Sequence, residues 1–580
     1  MRNRGLALLA GVLLVAAFVG LDRTTVGMHV GFFPIWGNST PGELLFWLGF
    51  VVLLSPGSLL VGWSVAPFFS GPVETLWARC NALSSSQWRL LVIGVGGAVT
   101  VLALVGHFLV LGGFPFTDDE YAVRLGGRIL AGGMSMAEVP DGFAAYPSFF
   151  LMVQDGMYTS MDWLGGLLAW SLAEVTGTGP LLYALASGIT VVAVAVAVSR
   201  QLTPAWGVAA GLVLAMSPMF QMLSMTTHAQ IISRMFVAVF LVLYLLADSG
   251  LSKVLWALTG LSFGAAVLCR PAESVGLCLP FLVDITWRAA RGGKSTRRGL
   301  FWLVAGGLLP ALVFVAYNYA VTGAWWRPPR YVDRDQLLNT NRNPLEEGLS
   351  GLTLLWQRFG GNCAHNALRL AVFFLGPVGM VGLLLGMNVS RMTKVASAAI
   401  GFHLLLGLLH GDYGIHAAGP AHYSETVVLL VFVFVHGMHR GVGLVRRLGG
   451  RAGRAGVTIA IGLILSMGIF STWHGAALRD QARIHATIYG LFDHPDFDNS
   501  VVLAPPYSAV WRQVPEFAKR GTFVFDWRKP DPITPRRTVI LHDRPEVLPA
   551  LEHQFKGRKV FRLLLLKKEP WLQIVPVERQ

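Results

Sequence analysis

Apolar runs long enough to cross a bilayer recur from Gly5 to Trp473, and no other feature restricts the fold of this chain as strongly. A segment surrounded by hydrocarbon must satisfy its own backbone hydrogen bonds, so such runs are predicted to be helices. About thirteen spans are expected, near residues 5–21, 42–63, 90–111, 180–199, 204–222, 231–247, 254–269, 272–287, 300–321, 367–387, 395–410, 424–438 and 456–473. The fold class is an all-α polytopic membrane protein. With 54% hydrophobic and 13% charged residues, a soluble fold is excluded.

The net charge of +14 invites a nucleic-acid reading, but the bases cluster between spans instead of lining one soluble face. Membrane topology accounts for them better, and no nucleic-acid partner is expected. With Arg2 and Arg4 inside, every second connection becomes cytoplasmic, including Trp287–Gly299 with five bases and His439–Ala455 with Arg440, Arg446, Arg447, Arg451 and Arg454. The expected site is the inner (plasma) membrane, with the N-terminus cytoplasmic. Arg2, Arg4 and the following apolar run also resemble a signal peptide, but no small-x-small cleavage site follows, so a retained helix is preferred. Cys80, Cys269, Cys278 and Cys363 lack metal or disulfide spacing and are read as packing residues.

On this parity residues 112–180, 322–366, 411–423 and everything from His474 lie outside. The first of these loops carries Asp118, Asp119 and Glu120 in a chain with only 32 acidic residues. A short amphipathic helix over Tyr121–Leu130 follows them, and Trp163–Val175 is predicted to lie on or dip into the outer leaflet. The acids therefore stand at a water–lipid boundary. Thr117 to Glu120 also fit a capping box, with Thr117 as cap and Glu120 reaching back to it, and acids suit a helix N-terminus. Catalysis and capping thus both explain the triplet.

A second group consists of basic residues at predicted outer helix ends: His228, Arg234, Arg270, His365, Arg369, His416 and His422. Arg270 stands out, because a charge at such a boundary needs an anionic partner, either a carboxylate or a lipid phosphate. The tail, residues 474–580, alternates strand-like runs (500–504, 522–527, 538–542, 560–566) with helix-like stretches (510–519, 546–556), which predicts a small α/β C-terminal extracytoplasmic domain. It holds no Gly-rich phosphate loop or nucleophile elbow, so a structural or acceptor-binding role is preferred.

These features together resemble the integral-membrane C-type (GT-C) glycosyltransferase superfamily, in particular bacterial relatives of protein O-mannosyltransferases and aminoarabinose transferases. Asp119-Glu120-Tyr121-Ala122 matches the acidic motif of their first outer loop. Thr159-Ser160-Met161-Asp162 stands where many have Tyr-Pro-Pro-Gly, and Cys269-Arg270-Pro271 where they have Thr-Arg-Pro. Ser217-Pro218 ending a span and Tyr317-Asn318-Tyr319 before Thr322-Gly323 are similar too. Gly419-Pro420-Ala421-His422-Tyr423-Ser424-Glu425 is similar to a late loop reading Gly-Pro-Arg-Tyr and then Glu, with Ala421 where the Arg is expected. The likeness covers about residues 88–473. It divides the chain into an N-terminal membrane region (1–89) with two extra helices, a GT-C-like core (90–473) and the tail domain (474–580).

The resemblance implies a sugar donor on a polyprenyl phosphate and transfer to a lipid, glycan or protein acceptor outside the membrane, among membrane lipids. Asp119 then acts as base, with Asp118 and Glu120 as the other catalytic candidates. Arg270 is the first choice for the phosphate, with Arg369, His422, Glu425 and His228 as further substrate-binding candidates. No metal or cofactor is expected, although acids so close leave a divalent ion as an alternative. Two other classes remain open: a lipid or glycan transporter, which calls for paired internal repeats and mid-span charges, and a non-catalytic membrane partner in envelope glycan assembly.

Overall fold

Each predicted span is met by a helix in the computed structural model, though not always by a straight crossing. The structure describes residues 2–21, 41–139, 150–250, 252–292, 294–332, 348–411, 414–415, 418–492, 494–506, 509–510, 513–514, 527, 538–544, 547–553, 555–568 and 571–577. In chain order the helices are α1 (Arg2–Val19), α2 (Pro41–Gly49), α3 (Ser55–Ala82), α4 (Ser85–Leu109), α5 (Asp118–Ala131), α6 (Leu164–Val175), α7 (Pro180–Gln201), α8 (Pro204–Met216) and α9 (Pro218–Ser224). They continue as α10 (Ala229–Gly250), α11 (Lys253–Cys269), α12 (Pro271–Ala290), α13 (Lys294–Thr322), α14 (Gly351–Phe374), α15 (Gly376–Gly386), α16 (Arg391–Leu408), α17 (Thr426–Arg447), α18 (Ala452–Phe492) and α19 (Val547–Glu552). The chain is a polytopic, mainly helical membrane protein.

Among the described residues seven helices are long and apolar enough to cross a membrane, or up to nine if each of two bent pairs is one span. The expected thirteen are not all of that kind. Helices α1 and α11 are short, α12 carries Glu273, Asp284 and Arg288, and α16 begins on Arg391 and Lys394. The expected spans 204–222 and 367–387 are broken, α8 to α9 by 64° and α14 to α15 by 89°.

Both breaks have a chemical cause, and they meet. Pro218 removes an N–H and turns Ser217 out of the helical region, while Gly376 adopts a positive φ of 62° after Leu375. The Ser217 hydroxyl donates to the carbonyls of Phe373 and Phe374 at 3.2 and 3.0 Å. Carbonyls released by one break are thus satisfied from the other, as irregular backbone inside a bundle requires.

Two small sheets flank the helices. In the acidic loop β1 (Ala137–Glu138), β2 (Leu151–Gln154) and β3 (Met157–Ser160) pair antiparallel in the order β1-β3-β2. After α18 come β4 (Ser500–Ala504), β5 (Val539–His542), β6 (Lys559–Leu565) and β7 (Leu572–Pro576), in the order β5-β4-β6-β7. There β4 runs parallel to β5 and β6, and β7 closes the edge antiparallel. The predicted α/β tail is met by three of its strand runs and by α19, whereas residues 522–526 and most of 510–519 lie outside the described residues. β7 was not foreseen, since Leu572–Pro576 ends in a proline and shows no clean alternation.

Candidate active site

The acidic triplet opens α5. Thr117 is its N-cap, with extended backbone, and its hydroxyl accepts from the Glu120 N–H at 3.4 Å, as predicted. The reciprocal half of the predicted box is not formed. Instead the Glu120 carboxylate passes the cap to accept from the Phe116 N–H at 2.6 Å and, across 107 residues, from the N–H and hydroxyl of Thr227 at 2.5 and 2.8 Å.

Around this contact the polar groups close into a lock. Arg124 donates to the Thr227 hydroxyl at 3.1 and 3.3 Å and lies over the Trp170 ring at 4.5 Å. Both ring nitrogens of His228 meet hydroxyls, Thr226 at 2.8 Å and Thr117 at 2.9 Å. Thr117, Glu120, Thr226, Thr227 and His228 are all buried. Burial opposes charge on Glu120, but His228 and Arg124 beside it and the donated N–H groups of Thr227 and Phe116 hold its carboxyl below the ordinary value. Glu120 and His228 therefore fix the turn, and the lock accounts for their predicted importance without substrate contact. Asp118 is buried, and Asp119, between these two buried acids, is only half-buried.

The opposite wall is the turn between α11 and α12. Arg270 pairs with Glu273 three residues on, and the carboxylates of Glu425, Asp119 and Asp162 also act on it. Its Nε is buried and has no hydrogen-bond partner among the described residues. Glu425 is fully buried at the start of α17. The Ser233 hydroxyl faces it, itself 3.1 Å from that of Ser274. His422, in a single 3₁₀ turn, donates its N–H to Gly414 and acts electrostatically on Glu273.

Close helix contacts bring these walls together. A Cβ on Gly126 or Gly127 of α5 would lie 2.7 Å from the Cβ of Ser160 or Trp170, and one on Gly165 of α6 would lie 2.6 Å from the backbone nitrogen of Cys269. The stack α5–α6–α11 thus tolerates only glycine at its crossings, which sets the distance from acidic turn to Arg270. Predicted outer-leaflet helix α6 buries Leu167, Ala169 and Trp170 and leaves Leu168, Leu172 and Val175 exposed.

Asp119, Arg270, His422 and Glu425 thus share one neighbourhood, with Asp118 and Glu120 on its rim. Arg369, on α14, donates to the His365 carbonyl on its own helix and lies 5.8 Å from the Trp47 ring. His416 lies outside the described residues. Among the described residues no three His, Cys, Asp or Glu side chains are arranged to hold a metal ion.

No protein-family model matches the chain, and no curated protein sequence does. Solved structures do. The chain is similar to ArnT from Cupriavidus metallidurans bound to undecaprenyl phosphate, with 13% identity, 85% of this chain and 98% of that one covered, and a TM-score of 0.49. It is also similar to the archaeal oligosaccharyltransferase AglB from Archaeoglobus fulgidus in complex with an inhibitory peptide and a dolichol-phosphate, at 13% identity, 74% coverage and a TM-score of 0.41. A third is the arabinofuranosyltransferase AftD from Mycobacteria, at 15% identity, 73% coverage and a TM-score of 0.41. The chain spans 64% of the AglB chain and 30% of the AftD chain.

Several residues at the site escaped the sequence reading. Asp162, noted there only as standing in a variant turn, is buried, faces Arg270 and lies 3.8 Å from Arg330. Glu273 was legible as an i,i+3 partner of Arg270. Arg124 and Thr227 carried no local signal, because their role exists only once α5 meets the start of α10.

Proposed function

We propose that the chain is an integral-membrane glycosyltransferase that moves a sugar from a polyprenyl-phosphate carrier to an extracytoplasmic acceptor, with the acidic turn facing outward from the plasma membrane. One observation carries this reading: Asp119 is the least buried acid of its turn, next to a Glu120 that is locked in place, and its carboxylate acts electrostatically on Arg270 of the second wall. A base must be both held and reachable. The carrier class comes from the motif resemblance.

In the proposed reaction the acceptor hydroxyl or amine attacks the anomeric carbon while Asp119 accepts its proton. The bond from that carbon to the phosphate oxygen breaks, and its electron pair leaves with the lipid phosphate. Arg270, held by Glu273, meets the growing charge on the leaving phosphate. Asp118 and Asp162 line the acceptor side. Glu120, Thr227, Arg124 and His228 hold the turn.

The test is transfer by the purified chain in lipid bilayers, supplied with labelled polyprenyl-phosphate sugars. Asp119→Asn is expected to lower transfer by about 10³-fold while leaving the melting temperature in place. Equal transfer by the two proteins overturns the assignment of the base.

A further inference from the structure

The C-terminal sheet has two buried faces with different covers. Along β4, Val501 and Leu503 join Leu541, Val547, Phe555 and Val560 in one apolar cluster, which brings in α19 from the sheet's own connection. Val502 and Ala504 point the other way, into a cluster with Ile540, Leu563 and Trp527, with Ile488 and Phe492 from the end of α18, and with Tyr121 of α5. A largely parallel sheet needs cover on both sides. Here part of the second cover is the residue directly after Glu120. Phe114 packs against the same cluster, and the Phe116 ring meets that of His485 on α18, edge to face at 6.2 Å.

The connection is short and stiff as well. Helix α18 has 41 residues, about 62 Å, roughly twice the hydrocarbon thickness of a bilayer. It carries the span and the sheet's support in one piece, with only the Pro495–Phe497 turn before β4. A separately docking module would have its own closed core and a loose tether. This sheet shares its second cluster with α5 and α18.

We propose that the C-terminal sheet is a positioning wall for the acidic turn: by packing on Tyr121, next to the Glu120 that Thr227 locks, it holds Asp119 in register with Arg270. Tyr121 is a positioning residue, and the sheet serves the rate of transfer and not the capture of acceptor. The inference rests on Asp119 being the base of the proposed reaction.

Its test uses the full chain in bilayers with Tyr121→Ala, Tyr121→Phe, the paired Val502→Ala/Ile540→Ala on the same face, and the paired Val501→Ala/Leu541→Ala on the other. Tyr121→Ala and the same-face pair are expected to lower kcat by about 10- to 100-fold with acceptor KM within about threefold. Tyr121→Phe and the other-face pair keep wild-type kcat below their melting temperatures. An activity-independent arm measures the maleimide labelling rate of Asp119→Cys in a chain whose four native cysteines are replaced; adding Tyr121→Ala is expected to raise that rate several-fold. Unchanged kcat and labelling, or a loss confined to acceptor KM, overturns the proposal. If the wild type transfers nothing, the glycosyltransferase reading fails by itself and the labelling arm alone decides whether the sheet holds the turn.

Discussion

Helices α10 and α12 carry a cluster of charge at each end, and the two clusters are built to different rules. Away from the acidic turn, Arg288 meets Asp248 at 2.6 Å and Asp284 at 3.1 Å, Arg391 pairs with both acids, and Tyr244 donates to Asp284 at 2.7 Å. Each charge there has an opposite partner in hydrogen-bond contact. About 27 Å along α12, eighteen positions back, Arg270 pairs with Glu273 yet keeps a buried Nε without a hydrogen-bond partner among the described residues. Buried polar groups are normally satisfied, and on the proposed function the lipid phosphate completes the set at Arg270.

The largest expected effect breaks the incomplete end. Arg270→Ala is expected to lower transfer by about 10²- to 10³-fold. It also strands Glu273 in a buried position, which costs roughly 3–5 kcal/mol. The double variant Arg270→Ala/Glu273→Gln separates the two consequences, because it restores the melting temperature and leaves transfer low. Recovery of transfer in the double variant would assign Arg270 to structure, like its counterpart Arg288.

Glu120 sharpens the comparison from the side of the turn, where charge is fully satisfied although the site is close by. Glu120→Gln removes one acceptor from an N–H and is expected to cost about 2–3 kcal/mol, with transfer about tenfold lower. The sign of its pH dependence follows from its lowered carboxyl value. The stabilisation is complete above the unfolded value near 4.5 and disappears as pH falls through the lower folded one. Melting temperature between about pH 5 and pH 3 should therefore fall less steeply in Glu120→Gln than in the wild type. Equal slopes would remove Glu120 from the lock.

Sequence pattern carried the helical class, the helix positions and three of the tail strands, because bilayer length and strand alternation act on contiguous residues. Local motifs and the acid-poor background singled out Asp119 and Arg270 for the proposed site. Pattern failed where long-range contact decides. The Glu120 carboxylate was read as closing a box on Thr117, whereas Thr227, 107 residues away, offers two donors at once. The broken spans were half legible: Ser217-Pro218 signalled a stop, but only the Phe373 and Phe374 carbonyls explain why the break is stable.

The smallest expected effect belongs to the complete cluster. Arg391 is 41% exposed, so water screens both of its ion pairs, and its removal leaves Asp248 and Asp284 still joined to Arg288. Arg391→Ala is expected to lower stability by about 1 kcal/mol, less at high salt, since exposed pairs contribute little and are screened. Transfer should stay at the wild-type rate, because nothing in this cluster waits for a ligand. A melting temperature unchanged by Arg391→Ala but a rate lowered severalfold would reverse the assignment. It would mean that the paired end of α10 and α12 moves during turnover, and that complete satisfaction describes only one of two states.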